Sequence, residues 1–277
     1  MSSDRRTVPA TEEHDTLPRT RVRIGDIEIG GDRFVVIAGP CAVESFAQIQ
    51  DAADLVAEHG AHVLRGGAFK ARTSPYTFQG LGLEGLRLMR AAADAHRMPI
   101  ISEVLSEHDV EAMDEFVDAF QVGSRNMDNT ALLKLLGQVT KPVLLKRGFA
   151  ATISEWLLAA EYVIVGGNDQ VVLCERGIRT FSNETRFTLD LAGAVYARQQ
   201  TRLPVVVDPS HATGNPRLIP AMAAATLASG LDGLMVEVHP DPASALSDAD
   251  QALSPERYRG MMEHLRLLST VTGRPIS

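Results

Sequence analysis

The chain has 277 residues, 45% of them apolar, with a net charge of −8 and a pI near 5.5. That balance supports a large core and argues against non-specific nucleic-acid binding, because no overall positive field draws in phosphate backbones. There is no apolar run long enough to span a membrane and no signal-peptide core, and two cysteines make no disulfide framework, so a cytoplasmic protein in the reducing cytosol is expected.

Residues 1–20 are polar, carry both signs of charge and two prolines, and read as a disordered tail. Residues 21–277 read as one domain. Arg21 to Gly30 alternates polar and apolar residues about Gly25-Asp26, which predicts a short β-hairpin able to cap one end of a barrel. Strands are predicted at 34–38, 62–65, 100–103, 119–122, 142–146, 170–174, 204–207 and 233–238, each short and mostly apolar. Helical patterns separate them at 46–58, 83–95, 107–115, 130–136, 153–165, 184–199, 216–228 and 255–268. Several carry end signals. Thr152-Ile-Ser-Glu155 is a capping box closed by Gly166-Gly167, Asn215-Pro216 opens the seventh helix with Gly230 to close it, and Ser254-Pro255 opens the last.

Strict β-α alternation eight times over predicts an α/β fold, a (β/α)8 TIM barrel with a short N-terminal β-hairpin. A doubly wound open sheet is the alternative. It is weaker because no Gly-x-Gly-x-x-Gly opens the first helix.

Barrel chemistry sits at the C-terminal strand ends. There the chain presents Cys41, straight after the Gly39-Pro40 break, then Arg65 with Lys70 and Arg72, Glu103, Arg125, Lys146 with Arg147, Glu175 with Arg176, Asp208 with His211, and Glu237 with His239 and Asp248. Arg65, Lys70, Arg72, Arg125, Lys146 and Arg176 form a basic set, which in an acidic protein suits a ligand bearing phosphate and carboxylate. Cys41, His211, Glu237 and Asp248 combine thiolate, imidazole and two carboxylates, a donor set for a divalent transition metal. Each position also has a plain structural reading. A cysteine after a strand is often buried and inert, as Cys174 within its apolar strand is expected to be. Lys146-Arg147 would serve as a solvated strand end, Glu103 as partner of a helix lysine, and His239 as a loop residue fixed by Pro240. Asp250 competes with Asp248 in the same polar run.

The motifs Ala38-Gly-Pro-Cys-Ala-Val-Glu44, Leu64-Arg-Gly-Gly-Ala-Phe-Lys-Ala-Arg-Thr-Ser74, Gln121-Val-Gly-Ser-Arg-Asn126, Pro142-Val-Leu-Leu-Lys-Arg-Gly148, Leu173-Cys-Glu-Arg-Gly177, Val207-Asp-Pro-Ser-His211 and Val236-Glu-Val-His-Pro240 with Ala245-Leu-Ser-Asp248 carry a resemblance. The chain resembles 3-deoxy-D-arabino-heptulosonate 7-phosphate (DAHP) synthases, in the subgroup close to 3-deoxy-D-manno-octulosonate 8-phosphate (KDO8P) synthases. The resemblance implies a barrel transferase that condenses phosphoenolpyruvate with D-erythrose 4-phosphate at the start of the shikimate pathway. It implies one divalent metal ion (Mn, Co, Fe or Zn) on Cys41, His211, Glu237 and Asp248, and no organic cofactor. It implies substrate contacts from Arg65, Lys70, Arg72, Thr73, Arg125, Lys146 and Arg176, with Ser124 beside the phosphate site. Of the catalytic candidates Lys70, Glu103 and His211, Lys70 is read as proton donor to the forming alkoxide, and either Glu103 or metal-bound water would manage the attacking water. No nucleic-acid or membrane partner is implied, and a homo-oligomer, dimer or tetramer, is. Feedback inhibition through an appended regulatory or mutase domain is not expected.

Arg72-Thr73 favours the four-carbon acceptor, and KDO8P synthesis from arabinose 5-phosphate is the alternative. A Schiff-base aldolase using Lys146 and a non-catalytic phosphate-binding barrel are further alternatives. The chain departs from the family pattern at Ala71, where Pro is common, at Ser124, where Ala is usual, at Asn215-Pro-Arg, and at Phe187, which follows Arg186 where Asn is common.

Overall fold

The computed structural model describes residues 18–70 and 76–276. Two short strands, β1 (Val22–Ile24) and β2 (Ile27–Ile29), pair antiparallel as the expected hairpin. Eight parallel strands then close into a barrel: β3 (Val35–Gly39), β4 (Val63–Arg65), β5 (Ile100–Val104), β6 (Ala119–Val122), β7 (Val143–Lys146), β8 (Val171–Glu175), β9 (Val205–Val207) and β10 (Gly233–Glu237). β10 pairs back onto β3 from Gly233↔Val35 to Glu237↔Gly39, so the sheet has no edge and the open doubly wound alternative is set aside. The helices α1 (Phe46–Glu58), α2 (Leu83–Asp94), α3 (Glu107–Asp114), α4 (Thr130–Leu136), α5 (Ile153–Gly166), α6 (Leu191–Gln200), α7 (Pro209–Thr213), α8 (Ile219–Ala228) and α9 (Pro255–Thr272) surround it. Among the described residues no helix is long and apolar enough to cross a membrane.

The period-two alternation of a strand explains how this barrel holds both a core and a site. Val35, Ile37, Val63, Ile101, Ala119, Leu144, Val172, Val206 and Met235 face inward and pack with Val22, Ile24 and Ile29 of the hairpin, which plugs the N-terminal end. Their strand neighbours, among them Val36, Leu64, Phe120, Leu145 and Leu173, pack outward against the helices. Two residues further along each strand direction, the inward positions become Arg65, Glu103, Gln121, Lys146, Cys174, Asp208 and Glu237. The lower half of the interior is therefore apolar and the upper half polar.

Two helix starts differ from the sequence expectation. The helix predicted from 184 begins at Leu191, because Asp190 caps it by accepting from Gly193 N (2.8 Å), while Thr188 bridges back to Ile178. The helix predicted from Pro216 begins at Ile219. Asn215 does not cap it; its side chain accepts from Arg217 N (3.0 Å) in a local turn. α7 was not anticipated. The Thr152–Glu155 capping box and the left-handed Gly167 (φ 116°) stand where expected. Of the expected tail, residues 1–17 lie outside the described residues, whereas Arg19 donates to Leu203 O (2.8 Å) and Thr20 to Arg202 O (3.0 Å).

Candidate active site

Cys41 lies just beyond β3, Glu237 ends β10, and Asp248 comes from the loop after it; their ligand atoms lie within 4.8 Å of one another. His211, on α7, brings Nε2 to 3.2 Å from Glu237 Oε1. Asp208 sets that orientation. It caps α7 by accepting from His211 N (3.0 Å), and its Oδ2 lies 2.7 Å from Nδ1. The ring proton is therefore assigned to Nδ1, and Nε2 turns its lone pair toward Glu237. Asp248 adopts φ 53°, a left-handed conformation that Asp tolerates better than most residues. Its Oδ2 is 3.1 Å from Cys41 Sγ, while Asp250 is exposed, so the loop delivers Asp248 to the cluster and not its competitor.

Burial pushes the Cys41 thiol up to about 12, and the neighbouring Glu237 carboxylate acts in the same direction. Burial would also raise Glu237, but His211 and Arg65 outweigh it and hold the carboxyl at about 2. Burial lowers His211, which favours the neutral imidazole needed of a ligand. The thiol and two carboxylates that cluster here, with the His211 imidazole against Glu237 at the cluster's side, are donor types that fit a divalent transition metal. A cation among them would supply the positive charge that lets the thiol ionise.

The basic side chains surround this cluster. Arg65 donates through Nη1 to Glu237 Oε1 and to Pro40 O, both at 2.9 Å. Lys70 Nζ lies 2.9 Å from both Cys41 O and Cys41 Sγ. Burial opposes its charge, yet the surrounding Cys41 and Glu103 raise its pKa, so the ammonium persists. Lys146 pairs with Asp208 at 2.6 Å. Arg147, one residue on, points away to Glu175 (3.0 Å) and Asp190 (2.8 Å). Arg176 is buried and, among the described residues, has no ion-pair partner; Arg125 is exposed. Ser124 Oγ is buried and, among the described residues, has no hydrogen-bond partner. Glu103 rests against Gly123, where an added Cβ would collide with its carboxylate oxygen. Arg72 and Thr73 lie outside the described residues. Cys174 faces the barrel interior, its thiol pushed up by burial. His239 sits in the loop, accepting from Asp241 N (3.1 Å) with Nε2 3.6 Å from Glu44.

Some contributors escaped the sequence reading. Gln251 donates to Glu237 Oε2 and accepts from Arg186 (2.6 Å), and Ser247 Oγ lies 3.1 Å from Cys41 Sγ. Nothing in the polar run 247–251 distinguishes these side chains from their neighbours. Asp208 was visible at a strand end, but its hold on His211 depends on the turn of α7.

Comparisons with known proteins agree with this geometry. The DAHP synthetase I family matches residues 8–270. A phospho-2-dehydro-3-deoxyheptonate aldolase of Thermotoga maritima is 46% identical over 254 residues, covering 92% of this chain and 75% of that protein. A 2-dehydro-3-deoxyphosphooctonate aldolase of Koribacter versatilis is 31% identical, covering 90% of this chain and 96% of that protein. The crystal structure of the Thermotoga maritima DAHP synthase superposes with a TM-score of 0.92 at 44% identity, covering 96% of this chain and 79% of that one. Its truncated form superposes with a TM-score of 0.88 at 41% identity, covering 95% and 96%. The barrel, its polar upper layer and a match over nearly the whole length agree: the chain belongs to the DAHP synthetase I family.

Proposed function

We propose that this chain condenses phosphoenolpyruvate with D-erythrose 4-phosphate to give DAHP and inorganic phosphate. The observation that carries the reading is the three-residue metal-type cluster of Cys41, Glu237 and Asp248, with His211 against Glu237 and Lys70, Arg65 and Lys146 beside it at one barrel mouth. Cys41, His211, Glu237 and Asp248 would hold one divalent ion (Mn, Co, Fe or Zn), which supplies Lewis-acid polarisation of the aldehyde oxygen when bound.

The chain's own residues do the rest. Arg65, Lys146, Arg125 and Arg176, with Ser124, bind the phosphate and carboxylate of phosphoenolpyruvate and fix carbon 3 beside the aldehyde. Arg72 and Thr73 take the sugar phosphate. As carbon 3 bonds to the aldehyde carbon, the aldehyde oxygen gains charge, and the Lys70 ammonium delivers a proton to it. Carbon 2 becomes electron-poor and takes up water, whose proton Glu103 accepts. The hydroxyl of the resulting hemiketal phosphate then passes its proton to the departing phosphate as the C–O bond breaks and the ketone forms. His211, which burial favours in its neutral form and Asp208 orients, completes the proposed donor set. The Lys146 amine is engaged by Asp208 at 2.6 Å, an arrangement that does not leave it free to attack a carbonyl.

A cytoplasmic setting suits a thiol ligand, since a reducing compartment keeps Cys41 free. The reading includes a homo-oligomer, dimer or tetramer, checked by light scattering of the purified protein.

The test is phosphate release from phosphoenolpyruvate with erythrose 4-phosphate or arabinose 5-phosphate, each with and without EDTA and with Mn²⁺ restored. Activity with the four-carbon sugar, lost to EDTA and recovered with Mn²⁺, is expected. Activity with arabinose 5-phosphate alone would assign the chain to KDO8P synthesis. Activity that survives EDTA and is trapped by borohydride would favour a Schiff base, and inactivity with metal bound would favour a binding barrel.

A further inference from the structure

The rings of Phe149 and Phe187 stack 5.1 Å apart and nearly parallel, at 8°. Arg176 lies over both, with its guanidinium carbon 4.2 Å from the Phe187 centroid and 5.0 Å from that of Phe149. Arg125 (5.6 Å) and Arg179 (5.3 Å) lie over Phe149, and Arg186 (5.9 Å) over Phe187. Four guanidinium groups therefore share two rings.

Such crowding of like charge needs something to offset it. Arg186 has Asp248 at 3.6 Å, whereas among the described residues no carboxylate lies within ion-pair distance of Arg176. Asp208 and Glu175 act on it only from further off, and its hydrogen bonds, to Gly177 O and His211 O, are long at 3.4 Å each. An aromatic face attracts a cation through its quadrupole. Unlike a carboxylate, it leaves the in-plane N–H groups free for an incoming anion. We propose that the Phe149–Phe187 stack is a positioning platform that holds Arg176, with Arg125 beside it, in place for the anionic groups of phosphoenolpyruvate. The proposal rests on the reading of these arginines as substrate contacts.

The backbone fixes the platform independently of its cations. Phe149 O accepts from Arg179 N and Phe187 N donates to Ala212 O, both at 2.7 Å, and Thr188 N donates to Ile178 O at 2.9 Å. Gly177 has φ 91°, and a Cβ there would stand 2.7 Å from Phe187 Cβ and 2.9 Å from Ala212 Cα. The turn carrying Arg176 is thus pressed onto Phe187 because its next residue lacks a side chain. Phe187 is also the position at which this chain departs from the Arg-Asn common in the family it resembles. Half-buried at the mouth, it lies outside the main core, so the ring can be changed without opening the barrel.

The experiment compares Phe187→Leu and Phe187→Tyr with the unmodified, metal-loaded enzyme. Phosphoenolpyruvate is titrated by calorimetry, KM is measured for both substrates, and melting is followed by circular dichroism. Phe187→Leu is expected to weaken phosphoenolpyruvate binding about three- to tenfold. The KM for erythrose 4-phosphate and kcat should stay within about twofold, and Phe187→Tyr should restore binding. Unchanged phosphoenolpyruvate binding in Phe187→Leu overturns the platform while leaving the condensation reading intact. So does an equal rise in both KM values without rescue by Tyr. If the unmodified protein binds phosphoenolpyruvate but does not turn it over, the condensation reading fails and the calorimetric comparison still decides the platform; no binding at all overturns both. If Phe187→Leu does not fold, Phe149→Leu removes the other ring and reads the same constant.

Discussion

Lys70 is the ammonium set against the Cys41 thiol, with Glu103 near enough to help keep it charged. If it donates the proton to the forming alkoxide, Lys70→Ala should lower kcat at least about a hundredfold. Metal content, read by atomic absorption, should stay near that of the unmodified protein. Parallel loss of metal and activity would make Lys70 a structural partner of Cys41 instead. Glu103 is tested through its neighbour. Gly123 has an ordinary φ of −70°, so Ala fits its backbone, but the new methyl meets the Glu103 carboxylate. Gly123→Ala should melt within a few degrees of the unmodified protein and lose about ten- to hundredfold in kcat. An unchanged kcat would remove Glu103 from the water-handling role. The residue types at both positions were legible in the sequence. The contact between Gly123 and Glu103 was not, because it joins neighbouring strands β5 and β6 through their inward faces.

The hairpin shows what an element contributes without touching the chemistry. Val22, Ile24 and Ile29 close the apolar lower end of the barrel, opposite the mouth that gathers the charged groups. Ile24, 1% exposed, should cost about 3 kcal/mol when cut to Ala. Urea denaturation should show that loss while both KM values stay put; a loss below about 1 kcal/mol would mean the hairpin only rests on the barrel. Helix ends were legible where capping is local, as at Thr152–Glu155 and at Ser254, which accepts from Arg257 N (3.4 Å). They misled where a polar side chain had competing local partners, as at Asn215, or where the true cap lay further on, as at Asp190.

At the scale of the molecule, barrel closure joins distant segments, and His62 reports on one such junction. Its Nδ1 accepts from Val36 N (3.0 Å) in β3, and a hydrogen bond to the Ile276 backbone ties it to the C-terminus. Burial, aided by Arg33, lowers its pKa below the usual histidine value. The unfolded chain therefore binds the proton first on acidification, near pH about 6.5. Stability from neutral His62 is complete above that pH and is lost as pH falls toward the lower folded value. Urea denaturation of the unmodified protein and His62→Gln, run from pH 8 to 5, should show their stability difference shrinking toward acid. A difference independent of pH would rule His62 out.

Much was set by the sequence alone. Repeated short apolar strands, separated by helical periodicity, dictate an α/β barrel because parallel strands must be covered on both faces. Polar residues just past each strand dictate which end carries the chemistry. The tertiary structure decided what those residues touch. Closure of β10 onto β3 brings Glu237 within reach of Cys41, almost two hundred positions earlier in the chain, and the turn of α7 aims His211 at the same carboxylate. Gln251, Arg186 and the Phe149–Phe187 stack gain meaning only there. Periodicity records which way a side chain faces relative to its own element, while the distance between side chains of different strands is fixed only when the barrel closes.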